Sequence, residues 1–155
     1  MADERTGRAI GLELRRVLQA GREMQAQLAH GLGLRVTDVQ ALDHLSSVSA
    51  PIGTVELGDR LGIRSASAAV LVDRLVAAGH LVREPDPEDR RRVILTPTAH
   101  GRAEVRAQLA PMLDALTDVI RRLEDDEAAT VLRFLAEAAE TMHSYHREPA
   151  PRTGP

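Results

Sequence analysis

Three consecutive arginines, Arg90 to Arg92, follow the turn-forming and acidic segment PDPED. A guanidinium group is permanently charged and presents its donors in a fixed fork, which suits phosphate groups and the narrow, negative minor groove of DNA. The whole chain carries a formal net charge of −3, which argues against a protein that coats nucleic acid indiscriminately. The local charge matters more, because residues 60–96 contain seven arginines against five acids.

Other reactive residue types are scarce. The chain has no cysteine, which excludes disulfides, thiolate metal sites and thiol-based redox sensing and favours a reducing compartment. His143 and His146 lie one helical turn apart, but no third ligand follows at a suitable spacing, so we expect no metal site. No nucleophile motif or glycine-rich phosphate loop is present, and we expect neither enzyme activity nor a cofactor. Short apolar runs and the lack of a secretory signal predict a cytoplasmic protein without membrane association.

The arginine cluster needs elements that hold it in place, and the aliphatic residues recur at helical spacing. A stripe from Ile10 to Leu28 predicts a long first helix. Thr37 followed by Gln40 predicts a capping box at the start of a second helix, in which each side chain satisfies a free backbone amide.

The next two helices are short and close together. One is predicted from a Thr54 cap to a stop at Gly62, and the next opens near Ser65 and closes at Gly79. Because a glycine-containing turn of about four residues separates them, the pair has the spacing of a helix-turn-helix.

The period then changes from helical to strand-like. The segments HLVRE and RRVILT are short and rich in branched residues, so they predict a two-stranded hairpin with PDPEDR at its tip. Thr98 opens a fifth helix, which Pro111 is expected to kink, and EDDEAA opens a sixth. A β-hairpin directly after a helix-turn-helix is typical of a DNA-binding wing, and the arginines lie at its tip.

Residues 61–101, LGIRSASAAVLVDRLVAAGHLVREPDPEDRRRVILTPTAHG, resemble the DNA-binding core of the MarR family, the multiple-antibiotic-resistance regulators. The specific matches are VDRL in the fourth helix, Gly79 at its end, DPEDRR in the wing, and Thr98 with Gly101 opening the next helix. The flanking helices extend the resemblance over residues 5–146. It implies a winged-helix homodimer that usually represses transcription from a palindromic operator in double-stranded DNA, and control by a small-molecule effector of unknown identity.

The resemblance gives the predicted fold class and domains. We expect a mainly α (α+β) winged helix-turn-helix with a two-stranded wing, flanked by long N- and C-terminal helices that form a dimerisation domain. The predicted boundaries are 5–34 and 98–146 for the dimerisation domain, 35–97 for the DNA-binding domain and 147–155 for a disordered tail.

The resemblance also assigns roles to residues in the fourth helix and the wing. It implies that Arg91 reaches the minor groove and that Asp73 pairs with this arginine and orients it. The predicted DNA-binding residues are Arg64, Ser65, Ser67, Ala69, Val70, Arg74, Arg90, Arg91 and Arg92.

The chain departs from the family pattern at three of its positions. Ala69 and Val70 stand where family members often carry residues that hydrogen-bond to bases, but they can still contact thymine methyl groups. Pro97 replaces the usual aliphatic residue before the helix cap and is expected to end the wing strand early.

Two alternative interpretations compete with these assignments. The wing arginines could only solvate a turn and pair with Asp86, Glu88 and Asp89. The whole winged helix could bind a protein instead of DNA, which the negative net charge and the apolar outer face of the fourth helix would favour.

Overall fold

The computed structural model describes residues 3–48 and 50–147. Their architecture confirms the predicted mainly α fold with a two-stranded wing. The elements are α1 (Glu4–Gly31), α2 (Val36–Ser47), α3 (Thr54–Leu61), α4 (Ser65–Ala77), β1 (Leu81–Pro85), β2 (Val93–Pro97), α5 (Ala99–Ile120) and α6 (Asp125–Arg147).

The start of α2 differs from its prediction. The chain turns into the helix at Arg35, whose backbone is extended, so the first helical residue is Val36. Asp38, three residues beyond this cap, accepts a hydrogen bond from the Arg35 amide at 2.9 Å. The predicted capping box of Thr37 and Gln40 is therefore wrong, because the helix begins before Thr37 and the Asp38 carboxylate, instead of the Gln40 side chain, accepts from the cap residue.

Two glycines end the helices of the helix-turn-helix, as predicted. Gly62 after α3 and Gly79 after α4 have φ values of 65° and 75°, a left-handed conformation that disfavours any other residue. At the other end of α3 the predicted Thr54 cap is wrong, because the cap is Gly53 and Thr54 is already the first helical residue. The α3–α4 turn is thus set by Gly62, which lets α4 begin within three residues.

The wing is an antiparallel pair in which Leu81 lies opposite Pro97 and Pro85 lies opposite Val93. The prediction that Pro97 shortens the strand is wrong, because Pro97 is the last residue of β2 and has a partner in β1. A proline is tolerated there because its nitrogen points away from β1, as the amide of Leu95 does when it donates to the Ile52 carbonyl, so the missing N–H interrupts no ladder hydrogen bond. The amide of Thr98 continues the pairing with a hydrogen bond to the His80 carbonyl at 2.9 Å.

One aliphatic core holds the helix-turn-helix and the wing together. Residues of α2, α3, α4 and both strands share it, and the α2–α3 loop adds Ile52, whose carbonyl accepts a hydrogen bond from the Leu95 amide at 3.0 Å. The wing is therefore anchored to the helices through its base. The fully or nearly buried members of this core are Ala41, Leu42, Leu45, Ile52, Leu57, Leu71, Val72, Leu75, Leu81 and Leu95.

A second, smaller cluster lies on the other side of α2. Val39 packs there with Leu28 and Ala29 of α1, and Val105 and Leu109 of α5 cover the group. Since Val39 and the next two turns of α2 face different clusters, α2 is shared between the helix-turn-helix core and the helices that flank it.

The junction between the wing and α5 is tightly packed. The Thr98 hydroxyl accepts a hydrogen bond from the Gly101 amide at 2.9 Å and donates one to the Gly79 carbonyl at 2.6 Å, so Thr98 caps α5 as predicted. A Cβ atom on Gly101 would lie 2.9 Å from both the Cα and the carbonyl oxygen of His80. This close approach explains a glycine in the first turn of a helix.

The chain divides into two compact units, Met1–Leu109 and Ala110–Pro155, and the boundary falls within α5. The helix runs without a break through Pro111, and the predicted kink stays a prediction. α6 extends to Arg147, one residue into the predicted tail, and residues 148–155 lie outside the described residues. The functional division into 35–97 and its flanking helices also stays a prediction.

Candidate nucleic-acid interface

One face of α4 is buried against the core, and the opposite face is exposed. Ala68, Leu71, Val72 and Leu75 point into the core. The helix starts at Ser65, after a turn in which the Ile63 amide donates to the Gly58 carbonyl at 3.0 Å. The helical period then places Ser67 and Val70 on the opposite side. Of the residues predicted to contact DNA, Arg64, Ser65, Ser67 and Val70 are exposed and Ala69 is half-buried.

Arg74 has a partner within the protein, and its predicted contact with DNA stays a prediction. Its Nε and Nη2 atoms donate to the two carboxylate oxygens of Asp38 at 2.9 and 2.5 Å. Asp38 is fully buried, and its hydrogen bonds raise the pKa of the Arg74 guanidinium above its ordinary value. A buried carboxylate requires such a cation, because an unpaired charge away from water is very costly. The Arg74 guanidinium therefore joins α4 to α2 through Asp38.

Asp73 pairs with a different arginine from the one that the resemblance implies. Its Oδ1 atom accepts a hydrogen bond from Arg83 Nη2 at 2.6 Å. Arg83 lies at the middle of β1, close to the end of α4, whereas Arg91 lies in the turn at the far end of the hairpin. The predicted Asp73–Arg91 pair is corrected accordingly, and Asp73 ties α4 to the body of the wing.

The acids of the wing tip bind the tip's own backbone. The Asp86 carboxylate accepts from the Glu88 amide at 2.9 Å, and the Asp89 carboxylate accepts from the Arg91 amide at 3.0 Å. These short-range bonds are turn chemistry, in which an aspartate replaces a backbone acceptor two residues away. The tip is therefore shaped by its aspartates, which do not neutralise all of the adjacent arginines.

The three wing arginines have different surroundings. Arg92 Nη2 lies 3.3 Å from Glu56 Oε2 of α3, and Arg92 Nη1 lies 3.6 Å from Asp86 Oδ2. Arg90 and Arg91 are exposed and form no ion pair among the described residues. The interpretation in which the wing arginines only pair with nearby acids thus applies in part to Arg92. The charges of Arg90 and Arg91 stay available for a binding partner.

A groove between α2 and α4 adds residues that the sequence reading missed. It has a volume of about 430 Å³ and runs beside the outward face of α4. Arg35 and Thr37, at the start of α2, are exposed and form its second edge. No local motif indicates these two, because only the packing of α2 against α4 brings them to this surface. The lining residues are Arg35, Thr37, Ile63, Ala66, Ser67, Val70, Leu71 and Arg74.

The described residues contain no group of three or more histidines or acids that could hold a metal ion. The side chain of His146, one of the two histidines considered above, lies outside the described part of the chain. No helix in the described ranges is long and apolar enough to cross a membrane.

Comparison with known sequences gives two matches. A family model described as MarR family matches residues 32–92, which include α2, α3, α4 and the tip of the wing. The chain is also 34% identical over 114 residues to YcgE of Bacillus subtilis strain 168, an uncharacterised HTH-type transcriptional regulator. That alignment covers 74% of the chain and 73% of the relative.

Solved structures show the same fold. A MarR family protein from Bacillus stearothermophilus has a TM-score of 0.69 at 18% identity, over 92% of this chain and 99% of the other. Wild-type MarR from E. coli in its apo form has a TM-score of 0.56 at 25% identity, over 83% of this chain and 95% of the other.

Proposed function

This chain belongs to the MarR family of DNA-binding transcriptional regulators, which are not enzymes, and on that premise we propose that it is a homodimeric repressor. Each protomer binds one half of a palindromic operator. α4 enters the major groove and the wing lies along the adjacent minor groove. The observation that carries the proposal is the pair of exposed cations at the wing tip, Arg90 and Arg91. They belong to the same module, the helix-turn-helix and wing of residues 35–97, as the outward-facing α4.

The charges of the module agree with this role. Internal partners bind Arg74 and Arg83 and hold Arg92 in part. Arg35, Arg64, Arg90 and Arg91 are exposed and form no ion pair within residues 3–48 and 50–147, so their charge stays available. Phosphate groups account for much of the affinity for DNA, so a protein with negative net charge can bind DNA when its free cations share one surface.

Dimerisation would cover apolar side chains that a single chain leaves exposed. In α1 these include Ile10 and Val17, and in α5 and α6 they include Leu116, Leu132 and Leu135. Helical stripes of this length seldom face water in a monomer, and a second copy is the simplest partner. We therefore assign dimerisation to residues 5–34 and 98–146 and operator binding to residues 35–97.

Release from DNA would follow from a small-molecule effector. An effector that binds more tightly to a conformer with a different spacing of the two recognition helices shifts the population away from the operator-binding state. The lack of cysteine agrees with action in a reducing compartment, and we propose the cytoplasm.

The salt dependence of binding tests the proposal. A fluorescent duplex, selected by the protein from a random pool, is titrated at several salt concentrations. Each neutralised phosphate contributes about −0.9 to the log–log slope, and a dimer with roughly 6 to 10 contacts should give a steep response. A shuffled duplex is the control for specificity. A flat response would contradict the proposal and favour a module that binds protein.

A further inference from the structure

α4 offers few groups for hydrogen bonds to base edges. The Arg74 guanidinium is bound to Asp38, and the Asp73 carboxylate is bound to Arg83. Bidentate arginine, asparagine or glutamine contacts supply most of the direct discrimination between bases, and α4 has no free side chain of these types. Apart from Asp73, which is paired with Arg83, its exposed polar side chains are two serines near its start, Ser65 and Ser67, and the surface between them and Asp73 is apolar.

The centre of this surface is Val70, which is 60% exposed. Beside it the groove is lined by Ile63, Ala66 and Leu71. Removal of such an apolar strip from water lowers the free energy. Cations lie near it, with Arg35 directly before α2 and Arg64 directly before α4. The major groove of DNA has the matching arrangement, with phosphates at its edges and the C5-methyl groups of thymine on its floor.

We infer that Val70, together with Ala66, recognises thymine methyl groups in the major groove, so that operator preference depends on methyl contacts more than on base-edge hydrogen bonds. The inference rests on the proposed function, because it requires α4 to lie in the major groove. It names the chemical group that α4 selects, which the family membership leaves open. 5-Methylcytosine carries a methyl group at the same ring position and should be accepted where geometry permits.

Deoxyuridine provides a direct probe. It pairs with adenine as thymidine does and keeps the same hydrogen-bonding edge, but it lacks the methyl group. We would replace each thymidine of the selected half-site in turn. At one or two positions the affinity should fall roughly fourfold, as expected for the loss of one buried methyl group. Replacing the symmetric position in both half-sites should give roughly a fifteenfold loss. Replacements outside the half-sites are the control.

A thermodynamic cycle that combines the deoxyuridine substitution with a protein variant identifies the residue that contacts the methyl group. Val70→Ala should weaken binding to the thymidine duplex and leave binding to the uridine duplex nearly unchanged, because the contact is already lost. The matched control is Val55→Ala, at an α3 valine that is 61% exposed and lies outside the groove. It should bind both duplexes as the parent does. Circular dichroism checks that both variants fold.

The outcomes separate this inference from the proposed function. Affinity that is unaffected by deoxyuridine at every half-site position would overturn the inference alone. A deoxyuridine effect of equal size in the parent and in Val70→Ala would also overturn it, because the methyl group would then act through another residue or through DNA shape. Failure to bind any duplex would overturn the proposed function and the inference with it.

Discussion

Arg74 of α4 binds both carboxylate oxygens of Asp38 in α2, and Asp38 is fully buried. The same carboxylate accepts a hydrogen bond from the backbone amide of Arg35, the residue that caps α2. The next residue, Val39, packs against α1 and α5. One side chain therefore joins the start of α2 to the recognition helix at the point where α2 contacts the flanking helices.

Removal of this arginine should be costly. Arg74→Ala leaves the Asp38 carboxylate buried without its cation, and breaking a buried pair in this way costs about 3 to 5 kcal/mol. Arg83→Ala breaks the exposed pair with Asp73 and should cost less than about 1 kcal/mol. Urea unfolding of both variants compares the two pairs directly. Equal small losses would show that the Asp38 pair does not hold α4 in place.

The wing tip should contribute to affinity and not to folding. Arg91→Ala should weaken operator binding by about 1 to 3 kcal/mol per half-site, because an exposed guanidinium is lost from the minor groove. The melting temperature should hardly change, since Arg91 forms no ion pair among the described residues. Arg106→Ala, at an exposed arginine of α5, is the control in the same titration. Parental affinity in Arg91→Ala would mean that the tip is a solvated turn.

Asp73 should act through Arg83. Asp73→Ala and Arg83→Ala should each reduce operator affinity modestly, by letting the wing body move relative to α4, and the double variant should be no worse than either one. The effects of Asp73→Ala and Arg91→Ala should add. Binding isotherms of the single and double variants measure both cycles. A large coupling between Asp73 and Arg91 would instead indicate that these two pair when DNA is bound.

Dimerisation should depend on the exposed stripes of α5 and α6. Light scattering should give the parent about twice the 16.8 kDa mass of the chain. Leu116→Glu or Leu135→Glu places a charge in the proposed interface and should cost several kcal/mol of association free energy. The control is Val55→Glu, outside these stripes, which should keep the parental mass. A folded parent with the mass of one chain would contradict the homodimer.

A side chain at Gly101 should lower the free energy of unfolding. Gly101→Ala forces a Cβ atom to 2.9 Å from the backbone of His80 and should cost about 1 to 3 kcal/mol, because α5 must move away from the wing. Gly7→Ala, in α1, meets no atom within 4 Å and should stabilise the fold by about 0.5 to 1 kcal/mol. Thermal unfolding compares the two substitutions, and equal shifts would contradict the close packing at His80.

Local features of the sequence predicted most of the fold. Gly62 and Gly79 mark helix ends because their backbone conformation disfavours other residues, and Thr98 marks the start of α5 because its hydroxyl caps the helix. These features depend on neighbouring residues only. The capping box is misassigned because Thr37 with Gln40 and Arg35 with Asp38 both have the spacing of a cap and its partner three residues on, and the choice depends on where α2 begins.

The partners of the arginines were harder to predict. Arg74 and Asp38 are 36 residues apart, so only the packing of α4 on α2 brings them together. The composition of the wing indicates that some arginines pair with acids, but it does not indicate that Arg92 reaches Glu56 while Arg91 stays exposed. Arg35 and Thr37 of the groove were missed for the same reason, because their neighbours lie on another helix.

The two faces of α4 also bear on how such a protein evolves. Its buried face carries the packing, and two ion pairs fix its orientation. Ala66 and Val70 contribute to neither, so substitutions there should change folding free energy by no more than about 0.5 kcal/mol. After a gene duplication, one copy could therefore acquire a new operator through these positions without first gaining stability elsewhere.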